Sequence, residues 1–225
     1  MPEKDRRSPS AFRSLSTRLA LGMIVCFAVQ RMVIVPKAYD AYLVLSGYGM
    51  KSGHLWELVT YQFFHTGLIH LLINVAGLWF VGRAAEARLG RRRFVLIYFG
   101  SSLAGALLQG AVAVIGYWLP ESREAASLFI IDRFGGGVAG ASVGLCGVFA
   151  AYCSLKPEPG TSLFFLGRIK PLLLLWIALG LAALFVVIPS NPSLAHLAHL
   201  GGLLAGLAFI KLGRQSDAVS GVEAP

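Results

Sequence analysis

Gly140-Ala141-Ser142-Val143-Gly144 places a lone hydroxyl among small residues at the mouth of an apolar segment, and His199 stands near the mouth of another. A serine flanked by small residues can present its Oγ together with the backbone N–H groups beside it. A histidine is the side chain best suited to take its proton near neutral pH. Such a pair is equipped for acyl transfer through an activated hydroxyl, provided that the two segments meet. His70 and Asn74 are four residues apart, so on a helix they share one face, one turn above the other. Both can donate hydrogen bonds of the kind that stabilise a developing oxyanion.

The elements that position these groups are dictated by the solvent. With 56% hydrophobic and 14% charged residues, the 225-residue chain is too apolar and too poor in charge for a soluble domain. Its apolar stretches run over residues 19–36, 67–82, 94–118, 138–154, 171–189 and 194–210. Each is near the length of roughly 20 residues that a helix needs to cross the hydrocarbon. The expectation is an all-α membrane protein with six transmembrane helices. Residues 1–18 form a basic N-terminal segment, 19–212 the membrane domain, and 213–225 a polar tail too poor in apolar residues to pack. The first stretch follows a basic region as a secretory signal does, but Gln30 and Arg31 interrupt it and no small-residue cleavage site follows. It reads as an uncleaved first span, with Arg31 snorkelling to the interface.

The net charge of +9 is distributed by side rather than by patch. Lys4, Arg6, Arg7, Arg13 and Arg18 precede span one, and Arg83, Arg88, Arg91, Arg92 and Arg93 join spans two and three. Lys156, Arg168 and Lys170 join spans four and five, and Lys211 and Arg214 follow span six. With alternating helices these all fall on one side, opposite Lys37, Lys51, Arg123 and Arg133. The positive-inside rule then puts both termini in the cytoplasm of a multi-pass membrane protein. The arginines read as topology signals and lipid-headgroup contacts, which argues against a nucleic-acid partner. Cys26, Cys146 and Cys153 all lie within spans, without the spacing of a disulfide framework or a zinc site. The loop over residues 36–66 carries Tyr39, Tyr42, Tyr48, Trp56 and Tyr61 and is expected to lie in the outer interface. A second outer loop, 119–137, ends in Gly135-Gly136-Gly137.

This topology gives each polar residue a depth. Spans two, four and six begin at the outer face, so at about 1.5 Å per residue His70, Ser142 and His199 all lie within roughly 10 Å of it. Polar groups at membrane depth are costly and usually face one another or a water-filled cavity. Gly140 with Gly144, and Gly202 with Gly206, form small-xxx-small pairs that would let spans four and six approach closely. If span four becomes helical near Ser142, the free N–H groups of its first turn add an oxyanion hole. Glu86 lies about 24 Å along the helix from the His70 layer and reads as a structural hydrogen-bond partner. His54 and His196 read as structural or interfacial, and His65 as an orienting residue in the outer loop.

In order and spacing, these residues resemble the rhomboid intramembrane serine proteases. The resemblance runs from about Trp56 to Gly206. It comprises His70 and Asn74 preceded by His65, the Glu86-Ala87-Arg88-Leu89-Gly90 run, the serine motif, and Ala198-His199-Leu200-Gly201-Gly202 with Gly206. It implies a six-helix rhomboid-like bundle with an outer interfacial loop, L1. Ser142 would be the nucleophile and His199 the general base of a dyad. His70, Asn74 and the Ser142 N–H would be the oxyanion donors. It implies transmembrane proteins as substrates, surrounding lipid as a partner, and neither cofactor nor metal. Oligomeric state is left open. Two positions depart from the family: Val143 stands where Gly commonly follows the serine, and Trp56-Glu57 where Trp-Arg is usual, so bonds made by that arginine are expected to be missing.

The alternative reading is a catalytically inactive rhomboid-like protein that binds client transmembrane helices, which Val143 favours and intact Ser142 and His199 oppose. A metal-dependent membrane hydrolase would use the histidines, but no HExxH occurs. A transporter would show paired broken helices, and none is evident.

Overall fold

The computed structural model describes residues 14–33, 42–118, 137–155, 170–187 and 196–220, and they are helical with one isolated β-bridge. Helix α1 spans Leu15–Met32, and the short helices α2, Gly47–Lys51, and α3, Glu57–Thr60, lie in the loop that follows. Helix α4 runs over Leu68–Leu89. Then come α5, Arg91–Trp118, α6, Ser142–Ser154, α7, Pro171–Val187, and α8, His196–Ser220. Helices α1, α4, α5 and α8 contain stretches long and apolar enough to cross a bilayer, whereas α6 and α7 are shorter apolar helices. Residues 34–41, with Lys37 and Tyr39, residues 119–136, with Arg123 and Arg133, residues 156–169 and 188–195, and the basic residues Lys4 to Arg13 lie outside the described residues.

Side chains sort by where the helices touch. Met23 of α1, Leu78 of α4, Phe94 and Tyr98 of α5, Val148 of α6 and Leu203 of α8 form the buried centre. Ile69, Ile73, Leu173 and Trp176 are exposed on the outside, which suits a bundle whose solvent is hydrocarbon. The short α6 sits at the centre, packed on α4, α5, α7 and α8.

The apolar stretch of span four begins at 138, but residues 137–141 enter non-helically, with Leu45 and Val138 exchanging backbone hydrogen bonds of 3.0 and 2.8 Å. Gly140 explains the change: its φ of +108° is accessible to glycine and strained for other residues, so the helix starts only at Ser142. The polar tail expected from 213 is helical as far as Ser220. Arg214, Gln215 and Ala218 favour helix and Gly213 and Asp217 do not; the last turns extend a helix already nucleated in the apolar stretch, which costs far less than starting one.

Helix α4 contains a π-helical stretch over Leu78–Gly82, and α1 supplies its cause. The Ser16 hydroxyl donates to the Leu78 carbonyl at 3.1 Å, and a Cβ on Gly82 would stand 3.0 Å from Ser16 Cβ. A side chain inserted into the hydrogen-bond ladder is a recognised origin of such a stretch. Glu86, one turn on, anchors the start of α1: its carboxylate accepts from Ser14 Oγ at 2.6 Å, Leu15 N at 2.8 Å and Ser16 N at 2.9 Å. This satisfies N–H groups that the helix leaves free. The structural role expected for Glu86 is what the geometry gives.

Replacing Glu86 with Ala removes three bonds to a carboxylate. We expect Glu86→Ala to lower stability by about 2 kcal/mol, the scale of charge-assisted hydrogen bonds. Reversible unfolding in detergent measures it, and a loss below about 0.5 kcal/mol would mean that α1 is anchored by packing alone.

Candidate active site

The N-terminal ends of α4, α6 and α8 and the C-terminal end of α1 gather at one end of the bundle, beneath the loop that carries α2 and α3. Arg88, Arg91, Arg92, Arg93, Lys170 and Lys211 lie toward the other end. Ser142, the first residue of α6, is half-buried, and its Oγ lies 2.6 Å from Nε2 of half-buried His199 in the first turn of α8. That separation suits proton transfer between a hydroxyl and a neutral imidazole. Among the described residues no carboxylate is bonded to His199.

Glycine sets this distance. The direction a Cβ would take from Gly202 ends on the Val143 carbonyl oxygen, and from Gly206 on the Gly147 carbonyl. A hydrogen occupies each place instead, so α6 and α8 touch along their backbones. The sequence expectation had the right pair on α8 and the wrong pair on α6. Gly140 lies outside the helix, and Gly144 faces Ser102 and Tyr98 of α5. Once the helix starts at 142, Val143 and Gly147, four apart, form the stripe that meets α8.

His70 stands beside the serine loop. A Cβ on Gly140 would come within 2.7 Å of both Cε1 and Nε2 of its ring, so glycine is required there for space as well as for φ. The Gly140 N–H donates to the Tyr61 carbonyl at 2.9 Å. On the other side of the ring, His70 Nδ1 is 3.1 Å from Thr66 Oγ1. If the threonine donates there, Nε2 carries the proton and faces the serine loop as a donor. Asn74 is buried, and its Nδ2 donates to the His70 carbonyl at 2.8 Å, leaving its second N–H for another acceptor.

Behind His70 lies His65, fully buried, with ring centroids 5.2 Å apart. Gln30, legible in the sequence only as an interruption of span one, holds the His65 peptide at both atoms. Its Nε2 donates to the His65 carbonyl at 2.8 Å, and its Oε1 accepts from the His65 N–H at 3.2 Å. Arg31 next to it is exposed, as a snorkelling residue would be. Thr66, Gln30 and Tyr61 therefore support the site and were not among the sequence candidates. Only Gln30, a polar residue in an apolar run, carried a signal.

Glu57, where the family usually has arginine, makes a different set of bonds. Its carboxylate is fully buried and accepts from Ser46 N at 2.9 Å, Ser46 Oγ at 3.2 Å and His54 Nδ1 at 3.1 Å. His54 in turn stacks on Trp56 at 4.5 Å, and Trp56 Nε1 donates to the Tyr42 carbonyl at 2.8 Å. A buried carboxyl group thus organises the start of α2 and the aromatic side of the loop. His196, one turn before His199 on α8, stacks on Phe185 at 5.0 Å.

A family model for the rhomboid domain matches residues 52–216. The chain is 30% identical over 170 residues to YdcA of Bacillus subtilis, named for a rhomboid protease, covering 74% of this chain and 73% of that protein. It is 28% identical over 157 residues to the rhomboid protease GlpG of Salmonella choleraesuis and to that of Salmonella newport, covering 69% of this chain. That match spans 47% of each GlpG protein, so the chain spans about half the length of those relatives.

Burial, and after it the neighbouring His70, holds the His65 imidazole down to about 4. Between that value and the ordinary 6.5 the unfolded chain binds the proton and the folded chain does not, so stability falls as pH drops through this window. We expect the unfolding midpoint in detergent to fall from pH 6.5 to pH 4, with a shallower slope in His65→Gln. An equal slope in the variant would place the titration elsewhere.

Proposed function

The chain belongs to the rhomboid family of multi-pass membrane proteins, and on that premise we propose that it is an intramembrane serine endopeptidase cutting in or near transmembrane helices of other proteins. The observation that carries this reading is the 2.6 Å contact between Ser142 Oγ and His199 Nε2. Ser142 attacks the scissile carbonyl while His199 Nε2 takes its proton and later returns it to the leaving amine. The Ser142 N–H, His70 Nε2 and Asn74 hold the oxyanion. A transmembrane helix hides its carbonyls in its own hydrogen bonds, so the substrate unwinds locally, and Gly or Pro near the cut helps it to do so.

The orientation follows from charge. The basic residues at the end away from Ser142 belong in the cytoplasm by the positive-inside rule, which puts the dyad near the outer face and both termini inside. Membrane lipid surrounds the exposed apolar sides, and no step calls for a metal or cofactor. The client-binding alternative is not favoured: it rested on Val143, and that side chain is buried between helices.

Purified protein in proteoliposomes with a transmembrane reporter tests the reading. Ser142→Ala should abolish cleavage and His199→Ala should nearly do so, while both remain folded. Asn74→Ala should lose one donor among several and slow cleavage by roughly a hundredfold, the lower end of the effect of removing one oxyanion donor. Undiminished turnover in Ser142→Ala would refute the assignment.

A further inference from the structure

Val143 is 1% exposed although it follows a half-buried serine. Its side chain enters a slot made by two glycines on other helices. From Gly202 of α8, a Cβ would meet Val143 Cγ1 at 3.2 Å. From Gly105 of α5, a Cβ would run into both Val143 Cγ1 and the carbonyl oxygen of Ala198, the residue before His199. Three helices therefore meet at one point: the α5 backbone at Gly105, the first turn of α6 through Val143, and the first turn of α8 through Ala198. Because interiors are close-packed, the bulk of Val143 sets how far the serine-bearing turn stands from α5, while the backbone contact at Gly202 holds that turn against α8.

We propose that Val143 is a positioning residue that acts as a spacer between α6 and α5, keeping the first turn of α6 seated on its backbone contact with α8 and so holding Ser142 Oγ at its distance from His199 Nε2, with Gly105 as the matching slot. Valine after the nucleophile is then an adjustment of this chain and not a lesion. Truncating Val143 leaves a gap into which the first turn of α6 can settle, and a displacement near 1 Å at a reacting group costs up to about a hundredfold in rate. The side chain reaches the chemistry only through Ser142, so substrate affinity is untouched. The inference rests on the protease reading.

The experiment compares wild type, Val143→Ala and Val143→Thr for kcat, KM and unfolding midpoint on the same transmembrane reporter. Threonine keeps the β-branched shape but buries a hydroxyl, so it costs stability without removing the spacer. The expected result is a kcat lowered about tenfold in Val143→Ala with KM unchanged, and a kcat within about twofold of wild type in Val143→Thr even where its midpoint falls. Wild-type or higher kcat in Val143→Ala would overturn the inference, as would equal losses in both variants, because rate would then follow stability and not shape. Wild type without turnover that depends on Ser142 would overturn the protease reading and this inference together.

Discussion

The backbone contact between α6 and α8 is the constraint on which the site depends. Ser142 and His199 are 57 residues apart and reach 2.6 Å only because glycines 202 and 206 leave room for the carbonyls of Val143 and Gly147. In hydrocarbon there is no hydrophobic force to press two helices together, so close packing at small residues does that work. A side chain at either glycine would part the helices at the dyad. The rest of the bundle preserves this contact: α5 closes over it at Gly105, and at Ser102 and Tyr98 against Gly144 of α6, and α4 brings His70 to the loop in front of it.

The polar groups around the dyad are held from behind. Gln30 of α1 fixes the His65 peptide, the His65 ring packs on His70, and Gly140 admits the His70 ring beside the serine loop. At the other end, Glu86 ties the start of α1 to α4. Helix α1 thereby joins both ends of α4 although it contributes nothing to the dyad itself. Above the site, Glu57 does for the outer loop what Glu86 does for α1, gathering N–H and O–H donors around one buried carboxylate.

Much of this was legible in the residues, for reasons that also explain the errors. Apolar length marked where each long helix begins to within about four positions, although α4 and α8 run on to Leu89 and Ser220, past the expected 82 and 210, and the alternation of spans brought Ser142, His199 and His70 to one end. Glycine spacing identified Gly202 and Gly206 but assigned the wrong partners on α6. Spacing alone does not reveal that a positive φ at Gly140 delays the helix to Ser142 and rotates the contacting stripe to Val143 and Gly147. Glu57 was legible only as a departure from a pattern, since the donors that satisfy it at Ser46 and His54 come from the fold of a loop without periodicity. Thr66 was hidden because a threonine before a helix is ordinary, and only the position of the His70 ring gives it a role.

The central claim is that Ser142 is an activated nucleophile, and the most direct measurement is the site of covalent modification by a fluorophosphonate in the detergent-solubilised protein. Mass spectrometry of the labelled chain should place the adduct on Ser142, at a rate that collapses in His199→Ala. A folded wild type that takes no label, or an adduct on another residue that persists in Ser142→Ala, would contradict the account.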